Sequence, residues 1–244
     1  MKDLLRTLVL LVCCCACAFA ADDVIQSTWA ASDPQLDTNP ASSFWRGFKV
    51  SYMETGAQGK PDPKYRTELR TRWTDRNLYI LFICPYEELN LKPNPNALAE
   101  TYGLWNWDVA EAFIGSDFKN IRRYKEFELS PQGEWVDLDI DLDKPHHEEG
   151  WKWNSGLEVS ARIDEAAHVW YGAMRIPYAA IDTRPAAVGN TLRINLFRCQ
   201  GPSPRRKYLA WRAPLTDSFH VPERFGILEL VKSDKEIHES PPQH

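Results

Sequence analysis

The sequence predicts an all-β chain folded as an antiparallel sandwich or barrel. Three observations carry that expectation. Short runs of alternating apolar and polar residues recur about every ten residues along the chain. Gly, Pro, Asn and Asp gather between those runs, where turns need them. No stretch holds the apolar spacing of an amphipathic helix for more than two turns.

Taken in order, the first twenty residues stand apart from the fold. Lys2 and Arg6 precede a short apolar run at 8–12, and Ala18-Phe19-Ala20 forms a small-residue cleavage signal. Residues 1–20 therefore read as a signal peptide, cleaved after Ala20, of a secreted or periplasmic protein. The apolar run is too short to cross a bilayer. The candidate strands follow at 66–74, 77–84, 107–114, 124–130, 135–142, 156–163, 168–176, 191–199, 207–213 and 225–231. Turn signals separate them, such as Ser130-Pro131-Gln132-Gly133 and Gly201-Pro202-Ser203-Pro204. Pro177 to Ile181 reads as one helical turn with proline at its first position. Segments 54–65 and 85–104 are long proline-bearing loops, of the kind that often carry function. One domain over 21–231 and a polar, disordered tail over 232–244 complete the reading.

Composition narrows the function classes. Lys and Arg number 29 against 34 Asp and Glu, a formal net charge of −5. No basic block survives the leader, so neither nucleic acid nor an anionic membrane is an expected partner. Cys84 and Cys199 are the two cysteines left after the leader. They fit a disulfide in an oxidising compartment, or two free thiols at the ends of apolar strands. Ten tryptophans in 244 residues are more than one core calls for, and some are expected to face a ligand.

The stretch 103–115 holds Trp105, Trp107, Asp108 and Glu111. Read as a strand, period two puts Trp105, Trp107, Val109, Glu111 and Phe113 on one face and Asp108, Ala110, Ala112 and Ile114 on the other. Asp108 and Glu111 then diverge, which argues against a glycosidase acid pair, since such carboxyls converge on one bond. Trp105 at the strand entrance, with Glu111 on its face, reads as an aromatic platform with a hydrogen-bond acceptor. Trp107 reads as support behind it, and Asp108 as structural.

A second acidic run, 136–143, alternates Val136, Leu138, Ile140 and Leu142 with Asp137, Asp139, Asp141 and Asp143. It reads as a strand with a wet acidic face. Leu142 occupies the position where a calcium loop needs glycine, so an EF-hand is not expected. His146, His147, His168 and His220 lack zinc spacing, and Met174 reads as core rather than as a haem ligand. Near the end, Trp211, Phe219 and His220 sit on a loop shaped by Pro222 and Gly226 before the last strand.

These residues together are recognisable. The motif W-x-x-D-x-x-E-x-F at Trp105–Phe113, RWTDRNLYILF before it, LRINLFR, and the closing AW-x-P…F-x-x-P-x-x-FG-x-L resemble the family 9 carbohydrate-binding modules. These are xylanase-associated and belong to a wider DOMON-like superfamily. The resemblance spans roughly 28–231 and implies a β-sandwich of immunoglobulin or jelly-roll type. It implies a non-catalytic binder in which two aromatic side chains hold a sugar whose hydroxyls meet polar groups. By position, Trp105 matches the first aromatic, Glu111 a hydroxyl acceptor and Phe219 the second aromatic. The chain departs from the pattern at Glu128, where binders carry arginine, at Phe197 (glutamine) and at Thr216 (asparagine). Trp211, Glu128 and Thr216 complete the expected ligand-binding set. The resemblance also implies structural calcium, with ligands unplaced; no haem is expected, and the alternative readings are a haem-binding electron-transfer domain of the same superfamily and a glycoside hydrolase-related protein. An oligo- or polysaccharide end is the expected partner, in a setting of polysaccharide degradation.

Overall fold

A computed structural model describes residues 23–144 and 151–232. The leader 1–20, the tail beyond 232, and His146, His147 and Glu148 lie outside the described residues. Among the described residues ten strands make one continuous hydrogen-bonded path. Its order is β8 (Trp135–Asp141), β7 (Arg123–Leu129), β6 (Val109–Gly115), β11 (Thr191–Gln200), β13 (Gly226–Val231), β1 (Val24–Trp29), β4 (Thr67–Trp73), β5 (Asn77–Pro85), β10 (Val169–Pro177) and β9 (Glu158–Asp164). Off this path, β2 (Ser51–Met53) pairs with β4, β12 (Lys207–Ala210) with β11, and β3 (Thr55–Gly56) with β12. All ten strands expected from alternation are present. β1, β2 and β3 are additional.

The wholly antiparallel expectation is corrected at β1, which runs parallel to both neighbours. Val24 to Thr28 register with Ile227 to Val231 of β13, and Thr28 and Trp29 register with Arg72 and Trp73 of β4. The first strand thereby joins the two halves of the path. The Trp73 indole reinforces the joint, donating to the Val231 carbonyl at 3.0 Å.

Alternation along each strand sorts side chains between an inner core and two outer faces. Leu78, Ile80, Phe82 and Cys84 of β5, Ala110, Ala112 and Ile114 of β6, Phe127 and Leu129 of β7, and Trp170, Met174 and Ile176 of β10 all enter one inner cluster. Full burial of each large apolar side chain contributes roughly 1.5–3 kcal/mol. Met174 lies wholly within this core, as its sequence context suggested. β5 reads as an unbroken apolar run because its second face is buried too. Tyr79 and Leu81 pack with Trp45 and Ala173 under the segment around Leu36 and Phe44. Arg70 and Arg72 hold that segment down, donating to the carbonyls of Pro40, Trp45 and Phe44 at 2.6–2.9 Å.

The outer face of β6, β7, β8 and β11 is different. It carries its own aromatic cluster and is roofed only by loops. Cys84 lies in the inner core and Cys199 in this outer cluster, and both are free and buried. The helical turn is Tyr178–Ile181, with Pro177 as its cap. Segment 54–65 contains β3 and a 3-10 turn, and 85–104 leads into a second 3-10 turn at Leu104–Asn106.

Asp33 pins the β4–β5 turn from outside. Its carboxylate accepts from Thr74 Oγ1 (2.6 Å), Asn77 Nδ2 (2.8 Å), Tyr79 Oη (2.8 Å) and Arg76 Nη2 (2.6 Å). Partial burial works against its charged form, yet these four donors outweigh it and hold the carboxyl well below the usual range. Asp33→Ala is expected to cost about 1–3 kcal/mol at neutral pH in urea unfolding. A lowered folded value gives stability that is full above the unfolded value and lost as pH falls through the folded one. The gap between wild type and variant should therefore narrow in acid.

Candidate functional site

Strand β6 sets the floor of a pocket on the outer face. Val109, Glu111 and Phe113 point outward while Ala110, Ala112 and Ile114 fill the core. In register, Glu111 lies opposite Phe197 of β11 on one side and Glu128 of β7 on the other. Two residues along β7, Glu126 shares the face. The pocket encloses about 670 Å³. Glu111, Phe113, Glu126, Leu138 and Cys199 lie at its base, and Tyr102, Trp105, Leu142, Trp151, Arg206, Tyr208, Asp217, Ser218, Phe219 and His220 around them.

Trp105 reaches this pocket from a 3-10 turn, not from a strand. β6 begins at Val109, so strand parity does not govern 105 and 107. Gly103 opens the turn with φ +82, a left-handed conformation that favours glycine. Its carbonyl accepts from Asn106 N and Nδ2. Arg206 then clamps the turn, its Nη2 donating to the carbonyls of Trp105 (2.9 Å) and Trp107 (2.6 Å). Trp107 does not line the pocket. Asp108 is buried and turned elsewhere, accepting from Gly201 N at 2.6 Å. Burial pushes its carboxyl up to about 6, against the pull of those backbone donors.

Phe219 lines the same pocket as Trp105 and lies flat on Phe197, with centroids 4.2 Å apart and planes at 11°. Phe197 thus gives up a polar contact and supplies an aromatic base for Phe219. Its neighbour His220, set aside in the sequence for want of zinc spacing, also faces the pocket. Its Nδ1 lies 2.7 Å from Tyr124 Oη, and its Nε2 lies 3.9 Å from Glu126 Oε2. Tyr102 packs edge-on against Trp105 at 5.1 Å.

Two expected ligand residues are not at the site. Trp211 packs against the inner core, and a Cβ on Gly226 would come within 2.6 Å of its ring. The absence of a side chain at 226 makes room for that indole. Thr216 is exposed and bonds within its own loop, to Ser218 N and O. Glu128 is on the expected face but wholly buried behind the lining. Glu126 is the residue that sequence reasoning missed. Period two along KEFELS placed it beside Glu128, which was signal enough.

Glu111, Glu126 and Glu128 form a compact trio whose nearest oxygens all lie within 4.8 Å of one another. They are 2%, 4% and 0% exposed. Glu126 Oε2 and both oxygens of Glu128 accept no hydrogen bond from a donor. The contact to Glu111 is from the Cys199 thiol at 3.5 Å. Burial, and then mutual repulsion, push Glu111 up to about 8 and hold Glu128 well above the usual range. Burial raises Glu126 to about 7.

The carboxylates of β8 and of the trio are the donors that the calcium implied by resemblance would need. The aspartates of β8 do not converge. Asp137 takes Ser155 N and Oγ, Asp139 pairs with Lys125, and Asp141 with Arg123. Their face is only partly wet: Asp137 is fully buried beneath Ser155, whereas the Asp139 side chain stays about half exposed. The glutamate trio offers hard oxygen donors, but three carboxylates alone fall short of the six to eight oxygens calcium takes.

Acids held neutral in the fold bind protons that ordinary glutamates, near 4.3, have released in the unfolded chain. Stability of the ligand-free protein should therefore fall as pH rises from about 5 toward 8. Chemical unfolding at the two ends measures it, and Glu128→Gln should shrink the drop. A flat or rising profile would contradict the trio's raised values.

The fold has known counterparts. A fungal extracellular protein from Arthroderma benhamiae is 22% identical over 227 residues, 88% of this chain and 94% of its own. A Bacteroides uniformis crystal structure, described only provisionally as carbohydrate-binding, superposes with TM-score 0.65 at 14% identity, covering 85% of this chain and 98% of that one. A family 9 carbohydrate-binding module from Caldicellulosiruptor kristjanssonii superposes with TM-score 0.60 in two complexes. With glucose it is 13% identical, covering 86% of this chain and 97% of its own. With cellotriose it is 12% identical, covering 91% and 99%. The model of the carbohydrate family 9 binding domain-like family matches residues 37–233, and the chain belongs to that family.

Proposed function

We propose that this protein is a secreted, non-catalytic carbohydrate-binding module whose domain spans 21–231. On this reading the two halves of the strand path are the sheets of a DOMON-like β-sandwich. The ligand is the end of an oligo- or polysaccharide of the xylan or cellulose type, held as an accessory to its degradation. The observation that carries the reading is the convergence of Trp105, Phe219, Tyr102 and Trp151 on one pocket floored by Glu111 and Glu126. A pyranose has apolar C–H faces, which aromatic rings cover, and a rim of hydroxyls, which carboxyl groups bond. The relative solved with glucose and with cellotriose supports the same chemistry.

Catalysis is the weaker reading on geometry. The three glutamates stand side by side on neighbouring strands and meet a sugar from one side. Glycoside cleavage needs carboxyls flanking the bond. Secretion is supported by the leader's composition and by the extracellular relative. No helix among the described residues is long and apolar enough to cross a membrane.

Trp105→Ala is expected to weaken cellotriose and glucose binding by about tenfold or more, the loss of one aromatic stacking surface. Titration calorimetry checks it, with thermal unfolding as the fold control. Unchanged affinity in a folded variant would mean that the sugar sits elsewhere.

A further inference from the structure

We propose that the pocket selects a saccharide bearing a primary ammonium group, an amino sugar, and that Glu111, Glu126 and Glu128 form its ammonium subsite. The proposal rests on the reading of the pocket as a saccharide site and names the class of sugar. An ammonium has three N–H donors and no acceptor. The trio offers one carboxyl oxygen from each of three residues, clustered within 4.8 Å, with Glu111 and Glu126 at the pocket's base and Glu128 directly behind them. That is one acceptor per donor, around a single point.

An acidic cluster alone would not point to a ligand, but Glu128 adds an independent observation. It is fully buried and its two oxygens accept from no donor outside the trio, while Glu126 Oε2 has only the His220 imidazole near it, at 3.9 Å. Buried acceptors without donors are costly. A ligand that brings donors and positive charge relieves that cost, while sugar hydroxyls bring donors alone. Among the described residues, no Lys or Arg forms an ion pair with any of the three. The one arginine lining the pocket, Arg206, is engaged by the carbonyls of Gly201, Trp105 and Trp107. The one cation-capable side chain within ion-pair distance of the trio among the described residues is the His220 imidazole, 3.9 Å from Glu126 Oε2, so a permanent positive charge at the trio is left for the ligand to supply. Aromatic rings on the pocket wall, Trp105 and Trp151 among them, suit a ring whose C–H faces are apolar and whose substituent is cationic.

A divalent cation is the competing occupant. The trio supplies half or fewer of the oxygens calcium takes, and the Cys199 thiol against Glu111 is a soft neighbour for a hard ion. The donor count of an ammonium is met in full.

The test is calorimetric titration in chelator with three β-1,4 trimers: cellotriose, the trimer of N-acetylglucosamine, and its fully deacetylated form. The deacetylated trimer is expected to bind about tenfold or more tighter than cellotriose, the gain typical of charge-assisted hydrogen bonds. Acetylation should erase that gain, and Glu128→Gln should bring the ratio close to one. Equal or weaker binding of the deacetylated trimer overturns the ammonium subsite and leaves the saccharide reading standing. Binding of no trimer overturns both. If calcium chloride alone raises the melting temperature and excludes the deacetylated trimer, the trio is a metal site and the proposal falls. Should Glu128→Gln fail to fold, the acetylated and deacetylated pair decides on the wild-type protein.

Discussion

Every feature of the site depends on the alternation of β6. One strand commits Ala110, Ala112 and Ile114 to the inner core and, by the same geometry, commits Val109, Glu111 and Phe113 to the outer face. A slip of one residue would bury Glu111 in the core and expose the apolar set. Core packing thus fixes where the carboxylate points. The neighbours follow from its register: Phe197 on one side carries Phe219, and Glu128 on the other completes the acidic trio. The opposite half of the molecule spends its outer face differently, because the segment around Phe44 and Trp45 covers β5 and β10. A pocket forms where strands are roofed by separate loops instead of by one packed segment.

The trio is where local consistency breaks down. Like-charged residues directly opposite on paired strands destabilise a sheet, and Glu111 faces Glu128 across β6 and β7. A fold settled only by stability would place an apolar or oppositely charged residue there. Such violations are expected at functional sites, where a ligand makes good what the chain leaves open. Membership of the family fits the aromatic walls. On the proposed reading Glu128, standing where the resemblance implies arginine, marks where the ligand is expected to differ from plain glucose.

Much of the fold was legible because strands buried on one or both faces announce themselves by alternation or by unbroken apolar runs, as in 77–84 and 124–130. β1, β2 and β3 were not, since VIQSTW is short and polar, and its parallel seat between β13 and β4 is decided by tertiary partners. Trp105 does share a pocket with Glu111 and Phe219, though not through strand parity. Strand parity was extended across Gly103, whose left-handed φ begins a 3-10 turn. Phe219 and Glu111, expected at the site by position and by parity, both line the pocket. Trp211 was misread because nothing local shows that Gly226, fifteen positions on, makes room for its ring in the core. Thr216 was carried over by position into a loop that bonds to itself. The wet face expected for 135–142 is wet only in part, since Ser155 buries Asp137 while Asp139, paired with Lys125 of β7, stays about half exposed.

The central claim is that the pocket over β6 is the sugar site, and the tryptophans report on it directly. The ten indoles are spread over the molecule, with Trp105 and Trp151 lining the pocket and Trp45 and Trp170 buried elsewhere. In a nitrogen-15 correlation spectrum of assigned indole signals, adding a saccharide ligand should shift Trp105 and Trp151 and leave Trp45 and Trp170 in place. Stationary Trp105 and Trp151 signals under saturating ligand, with movement at other indoles, would contradict the account.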